Sequence, residues 1–297
     1  MHDSVLLKEC IEGLNLKENS IIVDSTLGYG GHSREILKRI PKGLLIAIDQ
    51  DIEAINYNKE ASNFKIVKSN FRHLTEILNN LSIKEVDGIL YDLGVSSPQL
   101  DNKERGFSFH KDARLDMRMD KNQELSAERI VNNYELNELI KIFKEYGEEK
   151  YAVSIAKAII KNRPITTTLE LVEIIKSSVP FKYRNDKHPA RKVFQAIRIE
   201  VNDELNALSD SIRQALELIK VNGRIVVITF HSLEDRIVKK IFKEVSEIDK
   251  TLLKLPVIPD EYQPRFKIIG SFSPNLKEIE ENNRARSAKL RILERIR

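Results

Sequence analysis

Cysteine is nearly absent from this chain. Cys10 is the only one in 297 residues, which excludes an internal disulfide framework and zinc sites built on paired cysteines. Long apolar runs are missing as well. Nothing approaches the roughly 18 consecutive residues needed to span a bilayer, although 41% of the chain is hydrophobic. The first residues, Met1-His2-Asp3-Ser4, lack the basic-then-apolar pattern of a secretory signal. Internal repeats and low-complexity tracts are also absent. The expectation is a cytoplasmic globular protein with no membrane contact, long enough for about two domains.

An excess of one charge is lacking too: the net charge is +4, too small to imply a polyanionic partner by itself. Its distribution says more. Between Phe181 and Arg198 stand Lys182, Arg184, Lys187, Arg191, Lys192 and Arg198 against the single acid Asp186. Between Arg284 and Arg297 stand Arg284, Arg286, Lys289, Arg291, Arg295 and Arg297 against Glu294. Such clusters neutralise phosphates and attract nucleic acid, and they also occur as plain solvated surface.

What the chain does have is a glycine-rich turn. The apolar run Ile21-Ile22-Val23 leads into Asp24-Ser25-Thr26-Leu27-Gly28-Tyr29-Gly30-Gly31-His32-Ser33. An apolar run ending in an acid and a glycine cluster predicts a buried strand turning into a helix. Glycine permits unusual dihedrals and close backbone approach to a ligand, and the N-terminus of the next helix favours an anionic group. A second run, Leu44 to Ile48, ends in Asp49. That acid falls at the spacing of about 20 residues where nucleotide-binding folds place a ribose-binding carboxylate. Phe64 to Val67, shortly before Phe71, and Gly88 to Tyr91, ending in Asp92, continue the pattern. Strands alternating with helices predict a parallel sheet whose ligand edge carries Asp24, Asp49, Phe71 and Asp92.

The pattern changes after Asp101. Ser126 to Tyr146, Tyr151 to Lys161 and Thr168 to Ser177 carry amphipathic helical spacing, the last opened by a Thr167–Glu170 capping box. Residues 103–199 form an expected helical insert, with 1–102 and 200–297 making up one discontinuous α/β domain. Val193 to Ile219 predicts a long returning helix with a break near Ser209 and a stop at Asn222-Gly223. Arg224 to Phe230, Phe266 to Ile269 and Lys289 to Leu293 are the remaining expected strands.

The turn itself leaves the ligand open. Ser33 stands where the dinucleotide fingerprint has its third glycine, so NAD and S-adenosylmethionine fit equally. The fourth strand end, Asp92-Leu93-Gly94-Val95-Ser96-Ser97-Pro98-Gln99, places an acid where amino-group methyltransferases orient an exocyclic amine, without their usual adjacent prolines. Asp24 either closes its strand or meets a ligand amine. His231 is explained by capping the helix from Ser232, with Asp235 as its partner. His231, Glu234 and Asp235 match no strong ligand spacing, so no metal is expected.

Several blocks together resemble the bacterial ribosomal RNA small subunit methyltransferase H family. They are Asp92 to Asp101, Arg105-Gly106-Phe107-Ser108-Phe109, Leu115-Asp116-Met117-Arg118-Met119, His188-Pro189-Ala190-Arg191, Phe194-Gln195-Ala196, Val201 to Leu205 and His231 to Asp235. The resemblance covers almost the whole chain. It implies a class I S-adenosylmethionine-dependent methyltransferase: α/β, Rossmann-like, with a mostly parallel seven-stranded sheet and an inserted all-helical domain for RNA recognition. It implies N4-methylation of cytosine 1402 in the decoding region of 16S rRNA, in the small ribosomal subunit or a late assembly intermediate. It leaves a homodimer open.

Carried over by position, the resemblance implies cofactor contacts at Gly30, Gly31, His32, Asp49, Phe71, Asp92 and Gln99, with Asp92 also catalytic. Asn283 stands where the family has proline, which predicts a less rigid approach to the last basic segment. A non-catalytic RNA-binding assembly factor, an NAD-dependent oxidoreductase and a DNA amino-methyltransferase are the competing readings.

Overall fold

The computed structural model describes residues 4–186, 188–248, 251–252 and 259–297. Lys187 of the first basic cluster and the opening Met1-His2-Asp3 lie outside the described residues. The chain divides into two compact units, Met1–Gly94 with Leu205–Arg297, and Val95–Glu204. The divisions fall at Gly94 and Glu204, whereas the sequence reading sets them at 102 and 199.

The first part of the first unit runs α1 (Leu7–Gly13), β1 (Ile21–Asp24), α2 (Gly31–Arg39), β2 (Leu44–Asp49) and α3 (Ile52–Tyr57). β3 (Phe64–Lys68), α4 (Leu74–Asn80) and β4 (Val86–Asp92) follow. The second unit carries α5 (Ser97–Asp101), α6 (Ala127–Asn133), α7 (Leu136–Glu145), α8 (Ala152–Lys161), α9 (Thr168–Ser177), α10 (Phe181–Asp186) and α11 (Ala190–Asn202). The chain then enters α12 (Glu204–Leu218), β5 (Ile219–Thr229), α13 (Ser232–Ser246), β6 (Phe266–Phe272), α14 (Leu276–Glu281) and β7 (Lys289–Arg295).

The described strands form one seven-stranded sheet in the order β3-β2-β1-β4-β5-β7-β6. β1 through β5 pair in parallel, while β7 runs antiparallel between β5 and β6. This is the class I methyltransferase sheet that the sequence resemblance implies, and it departs from the 3-2-1-4-5-6 order of dinucleotide-binding folds. The central strands β1, β2 and β4 and the second half of β5 are largely apolar because both faces are covered, whereas β6 at the edge is mostly exposed. Ile22, Leu45, Ala47, Val226 and Ile228 pack with Cys10 and Ile11 of α1 and Ile36 of α2. Their neighbours Val23, Ile46, Ile48, Ile225 and Val227 point the other way, onto Leu78 of α4, Ile212 of α12 and Phe242 of α13. Alternation along each strand thus divides the core into two layers.

The helical unit has its own core, built around Ile130, Phe143, Ile155, Ile175, Phe194 and Ile197. The single helix expected over 126–146 is two. Arg163 Nε takes the Val131 carbonyl at 2.7 Å, and Glu135 with Glu138 forms a capping box that starts α7 afresh. The Thr167–Glu170 box opens α9 as expected.

The long returning helix is also interrupted, at Asp203 rather than near Ser209. Asp203 adopts φ 47°, and Asn202 Nδ2 donates to the Met117 carbonyl at 2.9 Å while its Oδ1 accepts from Met119 N–H at 2.8 Å. Asn222-Gly223 does not stop α12, which ends at Leu218. Ile219 pairs directly with Val86, and the register then jumps so that Arg224 faces Gly88. The turn residues therefore make a bulge inside β5. Asn283 lies in a short 3-10 turn, residues 283–287, whose start is capped by Asn282 accepting from Arg284 N–H at 3.1 Å. No described helix is long and apolar enough to cross a membrane.

Candidate active site at the edge of the sheet

Asp24, Asp49 and Asp92 are the last residues of β1, β2 and β4, adjacent strands of one parallel sheet. Three carboxylates therefore share its C-terminal edge. The loop after β1 is held to this edge from several sides. Leu27 N–H donates to the Ile48 carbonyl at 2.9 Å, Gly28 N–H to Asp49 Oδ2 at 2.8 Å, and Asn58 Nδ2 to the Gly28 carbonyl at 3.0 Å. Gly28 and Gly30 have φ of 49° and 73°, left-handed backbone that disfavours any side chain. A Cβ at Gly30 would also run into the Asn58 carboxamide.

Asp24 is buried, and Ser33 Oγ donates to its Oδ2 at 2.6 Å while Thr26 N–H donates to Oδ1 at 3.2 Å. Ser33, at the missing third-glycine position, thus braces the β1 acid and leaves it closing its own loop. Burial raises the Asp24 carboxyl above the ordinary range despite these donors. Asp49 receives Gly28 N–H on one oxygen and Asp51 N–H on the other, at 2.9 Å. Burial still pushes it up to about 6.

Asp92 differs from both. Its backbone N–H is taken by Thr26 Oγ1 at 2.7 Å, yet carboxylate Oδ1 is buried with no hydrogen-bond partner among the described residues. Oδ2 lies 3.5 Å from His32 Nδ1, and 27% of the side chain is exposed. Desolvation raises the carboxyl to about 6; His32 pulls it down, while Asp24 and Glu234 push it further up. His32 Nε2 is 3.2 Å from the Val5 carbonyl. A carbonyl only accepts, so Nε2 carries a hydrogen there, and Nδ1 is the ring nitrogen that faces Asp92. Of the three acids at this edge, Asp92 is the one with a buried carboxylate oxygen that receives no donor among the described residues, which suits a ligand N–H.

Gly30 and Gly31 lie where the loop meets α2, with Gly30 as its N-cap. Phe71 opens a 3-10 turn capped by Asn70 Oδ1. Its half-buried ring meets Tyr91 edge-on, with centroids 5.8 Å apart, so it belongs to the core and still presents an apolar face. Gln99 belongs to the second unit, where its Oε1 accepts from Ser96 N–H at 3.0 Å in the capping box of α5.

His231 does cap α13, but Glu234 is its partner, not Asp235. Glu234 is buried and accepts from Phe230 N–H at 2.7 Å and His231 N–H at 3.2 Å. Asp235 is instead held by Arg291, whose Nε and Nη2 lie at 2.7 and 3.0 Å.

Many of the clustered basic residues have protein partners. Arg295 Nη1 donates to the Ile219 carbonyl at 2.6 Å, Arg297 Nη2 to the Asp260 carbonyl at 2.9 Å, and Lys192 Nζ to the Glu148 carbonyl. Arg198 is clamped by Glu204 through two bonds of 2.8 Å. Sequence reasoning missed Thr26, Asn58 and the Val5 carbonyl as supports of this edge. Only Thr26, inside the glycine turn, carried a local signal.

A profile of the MraW methylase family matches residues 1–296. Among solved structures, an rRNA methylase from Streptococcus thermophilus matches at 11% identity and a TM-score of 0.43, covering 100% of this chain and 99% of that one. SMU.1697c, a methyltransferase candidate from Streptococcus mutans in complex with SAH, matches at 11% identity and a TM-score of 0.45, covering 99% of both chains. A SAM-dependent O-methyltransferase from Thermotoga maritima matches at 11% identity and 0.43, covering 100% of this chain and 68% of that one.

Proposed function

The chain belongs to the MraW methylase family, and from that premise we propose that it methylates the exocyclic N4 of a cytosine in 16S rRNA, with S-adenosylmethionine as donor. The proposed substrate is the decoding-region cytosine of the small ribosomal subunit or of a late assembly intermediate, met in the cytoplasm. The observation that carries this reading is the Asp92 carboxylate, placed at the ligand edge with one buried oxygen unsatisfied and the other set against His32.

The donor set suits the cofactor. Asp49 and Asp92 at one sheet edge complement a sulfonium cation, an amino group and ribose hydroxyls. In the proposed arrangement Asp49 accepts from the ribose, Phe71 covers the adenine, and the Gly30-Gly31-His32 backbone admits the methionine part. The cofactor supplies an electrophilic methyl group.

The chain's own residues act on the amine. A cytosine amine delocalises its lone pair into the ring, and an acceptor on its N–H bonds favours the tetrahedral nitrogen that can attack. Asp92 is that acceptor. With the donor bound, the C–N bond would form as the S–C bond breaks, and the nitrogen would then shed one proton. The Asp92–His32 pair is the nearest acceptor for it. The base enters unstacked, because an amine within a helix cannot meet the methyl in line. The helical unit is the proposed RNA-recognition element.

The test is transfer of labelled methyl to small ribosomal subunits from cells lacking this activity, followed by nucleoside analysis. Label in N4-methylcytidine supports reaction, substrate and atom together. Label in another nucleoside overturns the substrate while keeping the cofactor. S-adenosylhomocysteine binding without transfer to subunits or to assembly intermediates would leave the protein a binding factor.

A further inference from the structure

Two of the sequence blocks that carry the family resemblance meet in the helical unit, away from anything assigned above. Phe109 and His110 follow Arg105-Gly106-Phe107-Ser108, and His188 precedes α11. Their rings form one cluster. Phe109 stacks on His188 at 4.7 Å between centroids and 26° between planes. His110 lies 4.3 Å from Phe109 and 5.4 Å from His188. Beneath them Phe109 meets Phe194 edge-on at 5.7 Å, and Phe194 is buried in the core of the unit. The cluster is therefore seated on rigid packing while its outer member, His110, is exposed.

Core packing does not account for it. A ring set meant only for burial would not include two imidazoles, one of them exposed. His188 Nδ1 is buried without a hydrogen-bond partner among the described residues. Burial and the neighbouring His110 lower the His188 pKa, which favours its neutral, stacking form. A metal site is disfavoured: among the described residues no third His, Cys, Asp or Glu ligand atom joins the two imidazoles.

The surroundings are cationic. Arg191, whose N–H bonds the His188 carbonyl at 3.1 Å, has an exposed side chain, as do Lys182 and Arg184. Flat π-faces next to an exposed arginine are what an unstacked nucleotide needs: one surface for the base and a charge for its phosphate.

We propose that Phe109, His110 and His188 form a stacking platform for one unpaired base of single-stranded RNA, with Arg191 on the adjoining phosphate. This inference rests on the RNA-substrate reading above and names where that RNA would be gripped. His110 supplies the outer face, Phe109 and His188 hold it, and recognition is by stacking rather than by base-edge hydrogen bonds. The platform therefore tolerates any base and favours purines.

The test uses the full chain and two fluorescent strands of equal length, oligoadenosine and its abasic counterpart, followed by anisotropy. The chain is expected to favour the base-bearing strand by about tenfold, the scale of one stacked base. His110→Ala should abolish that preference and His110→Tyr should restore it, with Tm confirming that each variant folds. Arg191→Ala should weaken both strands equally. Equal affinity of the unaltered chain for both strands, or a preference that survives His110→Ala, overturns the platform. Methyl transfer to subunits, run on the same preparations, separates the two ideas. Transfer without a base preference sinks the platform alone, and a His110-dependent preference without transfer sinks the methylation reading alone.

Discussion

Asp49, the last residue of β2, holds the turn that follows β1 by accepting the Gly28 N–H on Oδ2 at 2.8 Å. Its other oxygen accepts the Asp51 N–H at 2.9 Å, which leads the chain into α3. One carboxylate thus fixes the glycine turn and the start of the next helix, and each oxygen keeps a second lone pair for a ribose hydroxyl. The proposed ligand contact and the observed scaffold role belong to the same group.

That double role makes Asp49→Asn a harsh substitution. An amide offers one acceptor oxygen, so its NH2 must face either Gly28 N–H or Asp51 N–H in both rotamers. A clashing donor pair and a lost ribose acceptor together should weaken S-adenosylhomocysteine binding by at least about tenfold. Calorimetric titration checks this, and unchanged affinity would refute the placement of the ribose at Asp49.

Asp92 must be ionised to accept an amine N–H, so methyl transfer should lose activity as pH falls through about 6. His32 lowers the Asp92 pKa; removing it with His32→Gln should move the acid limb to higher pH. Asp92→Asn should reduce kcat by about 100-fold or more. Single-turnover transfer across pH 5 to 8 gives all three. A limb that stays in place in the His32 variant would sever the two residues functionally.

The same group predicts a stability effect of definite sign. The folded-state pKa of Asp92 lies above its unfolded value near 3.8, so the folded protein holds the extra proton between those values. Stability from this group is greatest below the unfolded pKa and is lost as pH rises through about 6. Asp92→Asn removes the buried charge. Its Tm should exceed that of the unaltered protein at pH 8, with the gain shrinking toward pH 5. A constant difference across that range would mean that the charge is not the cost.

The sheet was legible because β1, β2 and β4 end in acids, the first followed by a glycine turn, and because short apolar runs of three to five residues leave little alternative. The helical boundaries were less so. Periodicity carried 126–146 through as one stripe and 193–219 through to a break near Ser209, but Arg163, distant in sequence, takes the Val131 carbonyl that would have continued the first helix, and Asn202 ends α11 with its carboxamide bonded to Met117 and Met119. Asp24, Asp49 and Asp92 look alike in the sequence. What separates them is who donates to each carboxylate, and Ser33 and Asp51 could be named in that role, and the Val5 carbonyl as the acceptor that orients His32, only once the loop was seen folded. His231's partner was misjudged by one residue for a similar reason: Asp235 is claimed by Arg291 across the sheet.

Charge clusters show the same limit, and they yield a comparison of two arginines on one helix. Arg191 and Arg198 lie seven residues apart on α11, two turns along the same stripe, and sequence alone gives both to RNA phosphate. The αL turn at Asp203 folds Glu204 back onto Arg198, leaving the two side chains 16% and 11% exposed. Arg198→Met would strand that carboxylate and should cost about 3 kcal/mol in urea unfolding, while leaving the salt dependence of RNA binding as it was. Arg191→Ala should do the reverse. Its effect on unfolding should stay within about 0.5 kcal/mol, but the slope of log affinity against log salt should fall by about 0.7, one phosphate contact on a single strand. If Arg198→Met flattened the salt slope as Arg191→Ala does, the ion pair with Glu204 would have to open on the RNA, and the division of the cluster into structural and binding arginines would fail.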